Sequence, residues 1–119
     1  PLTHRGVSES VWIITGTKKD GTLSADLQCA MKSGATVVIY MGMKKLEEIS
    51  SAYTRSGLGS MPAAIIQYAS LPNEKQAICA VKDLQETALR ENLSHPAIII
   101  IGNVVEVQKA LNQSLSIAS

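Results

Sequence analysis

Apolar positions recur along this chain in two rhythms, continuous β-branched runs and helical spacings, and their alternation lays out the elements. The strongest run is Ala35-Thr-Val-Val-Ile-Tyr-Met-Gly42. An unbroken apolar run predicts a central strand buried on both faces. It passes at once into a helical pattern in which Leu46, Ile49 and Tyr53 share one face, Glu47, Glu48 and Arg55 lie on the wetter side, and Gly57 is the stop. A strand that leads straight into a helix is how open α/β sheets form ligand crevices, so the ligand edge is expected near Met41. On pattern alone, a lone Met at a strand end is more often a filler of core space.

The other elements follow the same logic. Ser10-Val-Trp-Ile-Ile-Thr15 predicts a first strand, and Gly16 to Gly21 a solvated turn. Ser24 is placed to cap a short helix with Leu27, Ala30 and Met31 on one face and Gly34 at its close. Ala63-Ala-Ile-Ile-Gln-Tyr-Ala69 is a third strand, whose small opening residues admit a close neighbour. Gln76-Ala-Ile-Cys-Ala-Val81 is a fourth, antiparallel to the third because the connection is short. Asp83 with Glu86 forms a capping-box start for a helix carrying Leu84, Ala88, Leu89 and Leu93. Ala97-Ile-Ile-Ile-Ile101 is again continuous and therefore central, and Asn103 opens a final helix through Leu115. The sum is an α/β domain with a single mixed five-stranded sheet and flanking helices, without internal repeat or linker.

Composition narrows the function classes. At 119 residues with 45% apolar and 18% charged positions, one globular domain is expected, small for an enzyme that must enclose a large substrate. A net charge of +1 gives no long-range pull toward nucleic acid or an anionic membrane, so neither is an expected partner. Cys29 and Cys79 lack CxxC spacing, which points away from zinc or a disulfide framework and toward a reducing cytoplasm. No apolar stretch is long enough to span a bilayer. The chain opens on Pro1 in what reads as the middle of a loop, so a piece of a longer protein is expected, with a processed amino terminus as the alternative.

Candidate chemistry is sparse. Gly42, Gly57, Gly59 and Gly102 make neither GxGxxG nor a Walker pattern. The serines lack a nucleophile elbow, and His4 and His95 lack a carboxylate neighbour for a relay, so no catalytic residue is assigned. Arg5, in Thr3-His4-Arg5, is suited to gripping a carboxylate through its two-pronged donor fork.

Taken together, Pro1-Leu-Thr-His-Arg-Gly6, Ile14-Thr-Gly16, Tyr40-Met41-Gly42, Met61-Pro62-Ala-Ala64, Gln76 and Pro96-Ala-Ile-Ile-Ile-Ile-Gly102-Asn-Val-Val105 resemble the tetrapyrrole methylase family in order and spacing, over nearly the whole chain. The branch they are most similar to methylates uroporphyrinogen III, on the way to siroheme and cobalamin, and the stretch resembled is its carboxyl-terminal domain. The resemblance implies S-adenosylmethionine as cofactor, held in a cleft between two α/β domains, a tetrapyrrole substrate, a homodimer and no metal. Carried over by motif, Met41 with Tyr40 and Gly42 contacts the cofactor, Ala69 approaches it through backbone, Pro96 and Ala97 border its adenine, and Thr3, His4 and Arg5 meet substrate. Ala69-Ser70-Leu71-Pro72 departs from the family's usual Gly or Ala followed by Thr, so a different position is expected for that loop.

The family's amino-terminal Gly-Pro-Gly-Asp and Gly-Gly-Asp strings do not occur in this sequence. The resemblance therefore implies half a cleft, inactive by itself. The alternatives are another member of the family, acting on a later precorrin or on ribosomal RNA, and a dimerisation or binding module without catalysis. Exposed apolar surface where a second domain would sit favours the enzyme, and a fully polar surface favours the module.

Overall fold

The structure is a computed structural model and describes residues 10–17, 25–68 and 71–103. Within them the chain runs β1 (Val11–Thr15), α1 (Asp26–Ser33), β2 (Thr36–Tyr40), α2 (Leu46–Arg55), β3 (Pro62–Gln67), β4 (Lys75–Ala80), α3 (Leu84–Arg90) and β5 (Ala97–Ile101), with 3₁₀ turns at Met43–Lys45 and Val81–Asp83. The five strands form one sheet in the order β1-β2-β5-β3-β4. β1 and β2 are parallel, joined through α1 as a parallel pair requires. β5 inserts antiparallel between β2 and β3, and β4 pairs antiparallel with β3, as the short link demands. The mixed α/β sheet expected from the pattern is the sheet observed.

One face of the sheet holds the core. Ile14, Val37, Ile39, Ala63, Ile65, Ile99 and Ile101 pack there against Leu27 and Ala30 of α1, Leu46, Ile49 and Tyr53 of α2, and Leu84 and Ala88 of α3. On the other face Ala64 meets Ile78 and Ile100 in a smaller cluster, while Ile13 is 64% exposed. β2 is covered on both sides, from Thr36 to Ile39. β5 is central by pairing, yet only Ile99 and Ile101 are buried, because position in a sheet and coverage of its two faces are separate matters.

The helix ends show the local chemistry. Gly34 closes α1 at φ 77, and Gly57 follows α2 at φ 77, with the Leu58 amide donating back to the Tyr53 carbonyl at 2.8 Å. The capping box expected of Asp83 and Glu86 does not form. α3 grows directly out of a 3₁₀ turn in which the Leu84 amide donates to the Val81 carbonyl, and Asp83 makes no side-chain cap bond. The cap at Ser24 and the helix from Asn103 to Leu115 lie outside the described residues, apart from Asn103 itself.

Candidate ligand site at one sheet edge

The pairing register gathers four chain segments at one edge. Thr15 lies opposite Tyr40, Ile39 opposite Ile99, and Gln67 opposite Ala97. The chain therefore leaves β1 at Gly16, leaves β2 at Met41, leaves β3 at Tyr68 and enters β5 from Pro96, all at the same end of the sheet. Residues from positions 16 to 98 become neighbours by strand pairing alone.

A cavity of about 330 Å³ lies at this edge. Tyr40 and Met41 line it from the end of β2, Ile66 and Tyr68 from the end of β3, and His95, Pro96, Ala97 and Ile98 from the start of β5 between them, with Leu71 beside them. Met41 and His95 also border a second cavity, of about 250 Å³, together with Thr17, Met43 and Lys44. Met41 thus stands between two open spaces. It is 60% exposed, which removes the reading of Met41 as core filler. Tyr40 and Leu71, beside it, are 46% and 54% exposed, so the rim presents a patch of apolar surface to solvent.

Backbone geometry aims this edge. Met41 takes φ 56 and Tyr68 φ 55, a left-handed conformation that a non-glycine residue seldom adopts without support from its surroundings. The Gly16 amide donates to the Tyr40 carbonyl at 2.6 Å, and the Thr17 hydroxyl donates to the Met41 carbonyl at 2.7 Å. A Cβ on Gly16 would stand 2.9 Å from the Gly42 Cα, so only glycine permits this approach. Across the cavity, the His95–Pro96 peptide is cis, and the Tyr68 amide donates to the Pro96 carbonyl at 3.2 Å. The Ser94 amide donates to Gln67 Oε1 at 2.8 Å.

Of the residues singled out in the sequence, Tyr40, Met41, Pro96 and Ala97 are brought together around one cavity. Gly42 is buried beneath it, and a Cβ there would meet Ile39 Cγ2 at 2.8 Å and Ile99 Cδ1 at 3.0 Å. It supports the turn without lining the cavity. Ala63 and Ala64 sit at the far end of β3, opposite Ile101 and Ile100, and the wall that β3 gives the cavity is Ile66. Thr3, His4, Arg5 and Ala69 lie outside the described residues. Thr17, Gln67, Tyr68 and His95 were not legible as site residues, because each enters through a contact across more than twenty positions or through a backbone conformation with no local signature. Gly16 and Thr17, read as the start of a solvated turn, are instead a buried glycine and a half-buried threonine against β2.

The walls are apolar and aromatic, with an exposed thioether between the two spaces, and they suit a flat or apolar ligand group better than a phosphate. The family model for tetrapyrrole (corrin/porphyrin) methylases matches residues 1–85. The chain belongs to that family. It is 36% identical over 112 residues to a siroheme synthase of Thiobacillus denitrificans, spanning 93% of this chain and 23% of that protein. It is 37% identical over 107 residues to a uroporphyrinogen-III C-methyltransferase of Bacillus subtilis, spanning 88% and 42%. Among solved structures, the uroporphyrin-III C-methyl transferase of Thermus thermophilus in complex with S-adenyl homocysteine aligns with a TM-score of 0.77 and 28% identity, over 90% of this chain and 48% of that one. A cobalt precorrin-4 methyltransferase shares the fold, at a TM-score of 0.78 and 18% identity over 88% and 45%. This tetrapyrrole methylase chain therefore spans between about a quarter and less than half of the length of these relatives.

Proposed function

We propose that this chain is the carboxyl-terminal domain of an S-adenosylmethionine-dependent methyltransferase that converts uroporphyrinogen III to precorrin-2, at the entry to siroheme and cobalamin. The observation that carries the reading is Met41, exposed and left-handed at the edge of the sheet, between two cavities. The relatives named for uroporphyrinogen-III methylation, and the Thermus thermophilus structure with S-adenyl homocysteine, support it.

Met41, with Tyr40, Pro96 and Ala97, would hold the cofactor, and the Ala69 backbone would approach it. When bound, the cofactor supplies a methyl group on a positively charged sulfur, ready for attack by an electron-rich pyrrole carbon. The chain's own work is alignment and exclusion of water: Ile66, Leu71 and Ile98 line the cavity with apolar surface. Thr3, His4 and Arg5 would take the carboxylates of the substrate. A cavity of about 330 Å³ is at the small end of the range for ligand pockets. A second domain is therefore part of the proposal, covering the exposed rim of Tyr40, Met41 and Leu71 and completing the cleft. The complete protein would act as a homodimer in the cytoplasm.

Uroporphyrinogen III and methyl-labelled S-adenosylmethionine, supplied to the complete protein and separately to this chain, test the reading. Label should reach the tetrapyrrole with the complete protein and not with this chain. Product from this chain alone would remove the half-cleft, and a complete protein that labels only a later precorrin or RNA would remove the substrate.

A further inference from the structure

We propose that Thr17 is a positioning residue that sets the direction of Met41 through the Met41 carbonyl. The inference rests on the reading of Met41 as a cofactor contact. The backbone angles of Met41 are rotations between two peptide planes, the one before it, which carries the Tyr40 carbonyl, and the one after it, which carries its own. Both carbonyls are held by consecutive residues of a single segment. The Gly16 amide donates to the Tyr40 oxygen at 2.6 Å, and the Thr17 hydroxyl donates to the Met41 oxygen at 2.7 Å. Together they hold φ at 56, in a region that the Met side chain disfavours.

Packing does not hold the Met41 side chain, because the residue is 60% exposed. Its direction is therefore inherited from its backbone, and the backbone from the clamp. The Gly16 half of the clamp is main chain, and it is open only to a residue without a Cβ. The Thr17 half is a side-chain donor, and thus the part that a substitution can remove while the main-chain bond stays. Thr17 also borders the cavity of about 250 Å³ that Met41 borders, so the clamp acts at the ligand edge itself. The two residues are 24 positions apart, which is why no local pattern marks the pair.

The test is a cycle of variants in the complete protein, with the dissociation constant for S-adenosylhomocysteine measured by calorimetry beside the melting temperature. Thr17→Val keeps the shape and removes the donor. It should weaken binding roughly two- to tenfold, the equivalent of one hydrogen bond, and Thr17→Ser should restore it. Thr17→Ala removes the donor independently should the valine variant fail to fold. Added to Met41→Ala, Thr17→Val should weaken binding no further, since an effect exerted through Met41 has nothing left to act on. Losses that add independently would overturn the inference, as would wild-type affinity in Thr17→Val beside a weakened Met41→Ala. Unchanged affinity in Met41→Ala would instead remove the cofactor reading on which the inference rests.

Discussion

Gln67 accepts the Ser94 amide through its side-chain oxygen at 2.8 Å, from a position where only 8% of the residue is exposed. The end of β3 is thereby tied to the loop that carries His95 and Pro96. The Tyr68 amide, one residue on, donates to the Pro96 carbonyl at 3.2 Å. Two bonds from adjacent residues thus fasten the end of β3 to the segment that enters β5, and Tyr68 and Pro96 from these two segments both line the cavity.

Gln67→Leu would keep the bulk of the side chain and leave the Ser94 amide without its partner. Ser94 is exposed, so water can take up its amide, and the loss is that of one net hydrogen bond, about 0.5–1.5 kcal/mol. The expected outcome is an unfolding free energy lowered by that amount in denaturant titration, with a weaker cofactor titration in the complete protein, because the segment that moves is the one bearing Pro96 and Ala97. A full loss of stability with wild-type affinity would show that Gln67 serves the fold and not the site.

Met41 offers a cleaner separation of folding from binding. Truncating a buried Met costs about 2–5 kcal/mol, and Met41 at 60% exposure should fall well below that range. Met41→Gly goes further, since glycine adopts φ 56 without strain. The expected result is a melting temperature at or slightly above that of the parent together with a marked loss of cofactor affinity. A large drop in melting temperature with unchanged affinity would return Met41 to the core.

Tyr53 links stability to alkaline pH. It is 2% exposed, and burial raises its phenol well above the ordinary value of 10.0. The native state therefore keeps a proton that the unfolded chain releases, so its contribution is complete below about pH 10 and is lost as pH rises beyond it. The slope is at most about 1.4 kcal/mol per pH unit for one group. Tyr53→Phe lacks that proton. Among the described residues the buried Tyr53 hydroxyl has no hydrogen-bond partner, so the urea midpoint of Tyr53→Phe should equal or exceed that of the parent near neutral pH, and the gap should widen above about pH 10 as the parent falls faster. Parallel curves through that range would mean that the phenol is not held protonated.

What the sequence determined by itself was the set of described elements and the end of the sheet at which Met41 stands. Continuous β-branched runs at Val11–Thr15, Thr36–Tyr40 and Ala97–Ile101, helical spacing at Leu46, Ile49 and Tyr53, and glycines at 34 and 57 are local signals, because each reports a periodicity or a backbone preference within one turn or one strand. The antiparallel pairing of β3 with β4 was legible for the same reason, since a short link leaves little choice. The placement of β5 between β2 and β3 belongs to the tertiary structure alone, because partner choice among strands far apart in sequence depends on which pairings bury the most apolar surface together, and several orders share the same local pattern. That single choice puts Pro96 and Ala97 beside Met41. The left-handed backbone at Met41 and Tyr68, the Thr17 and Gln67 bonds, and the one-sided burial of β5 belong to the tertiary structure as well, each arising from contacts between segments that no stretch of residues, read alone, contains.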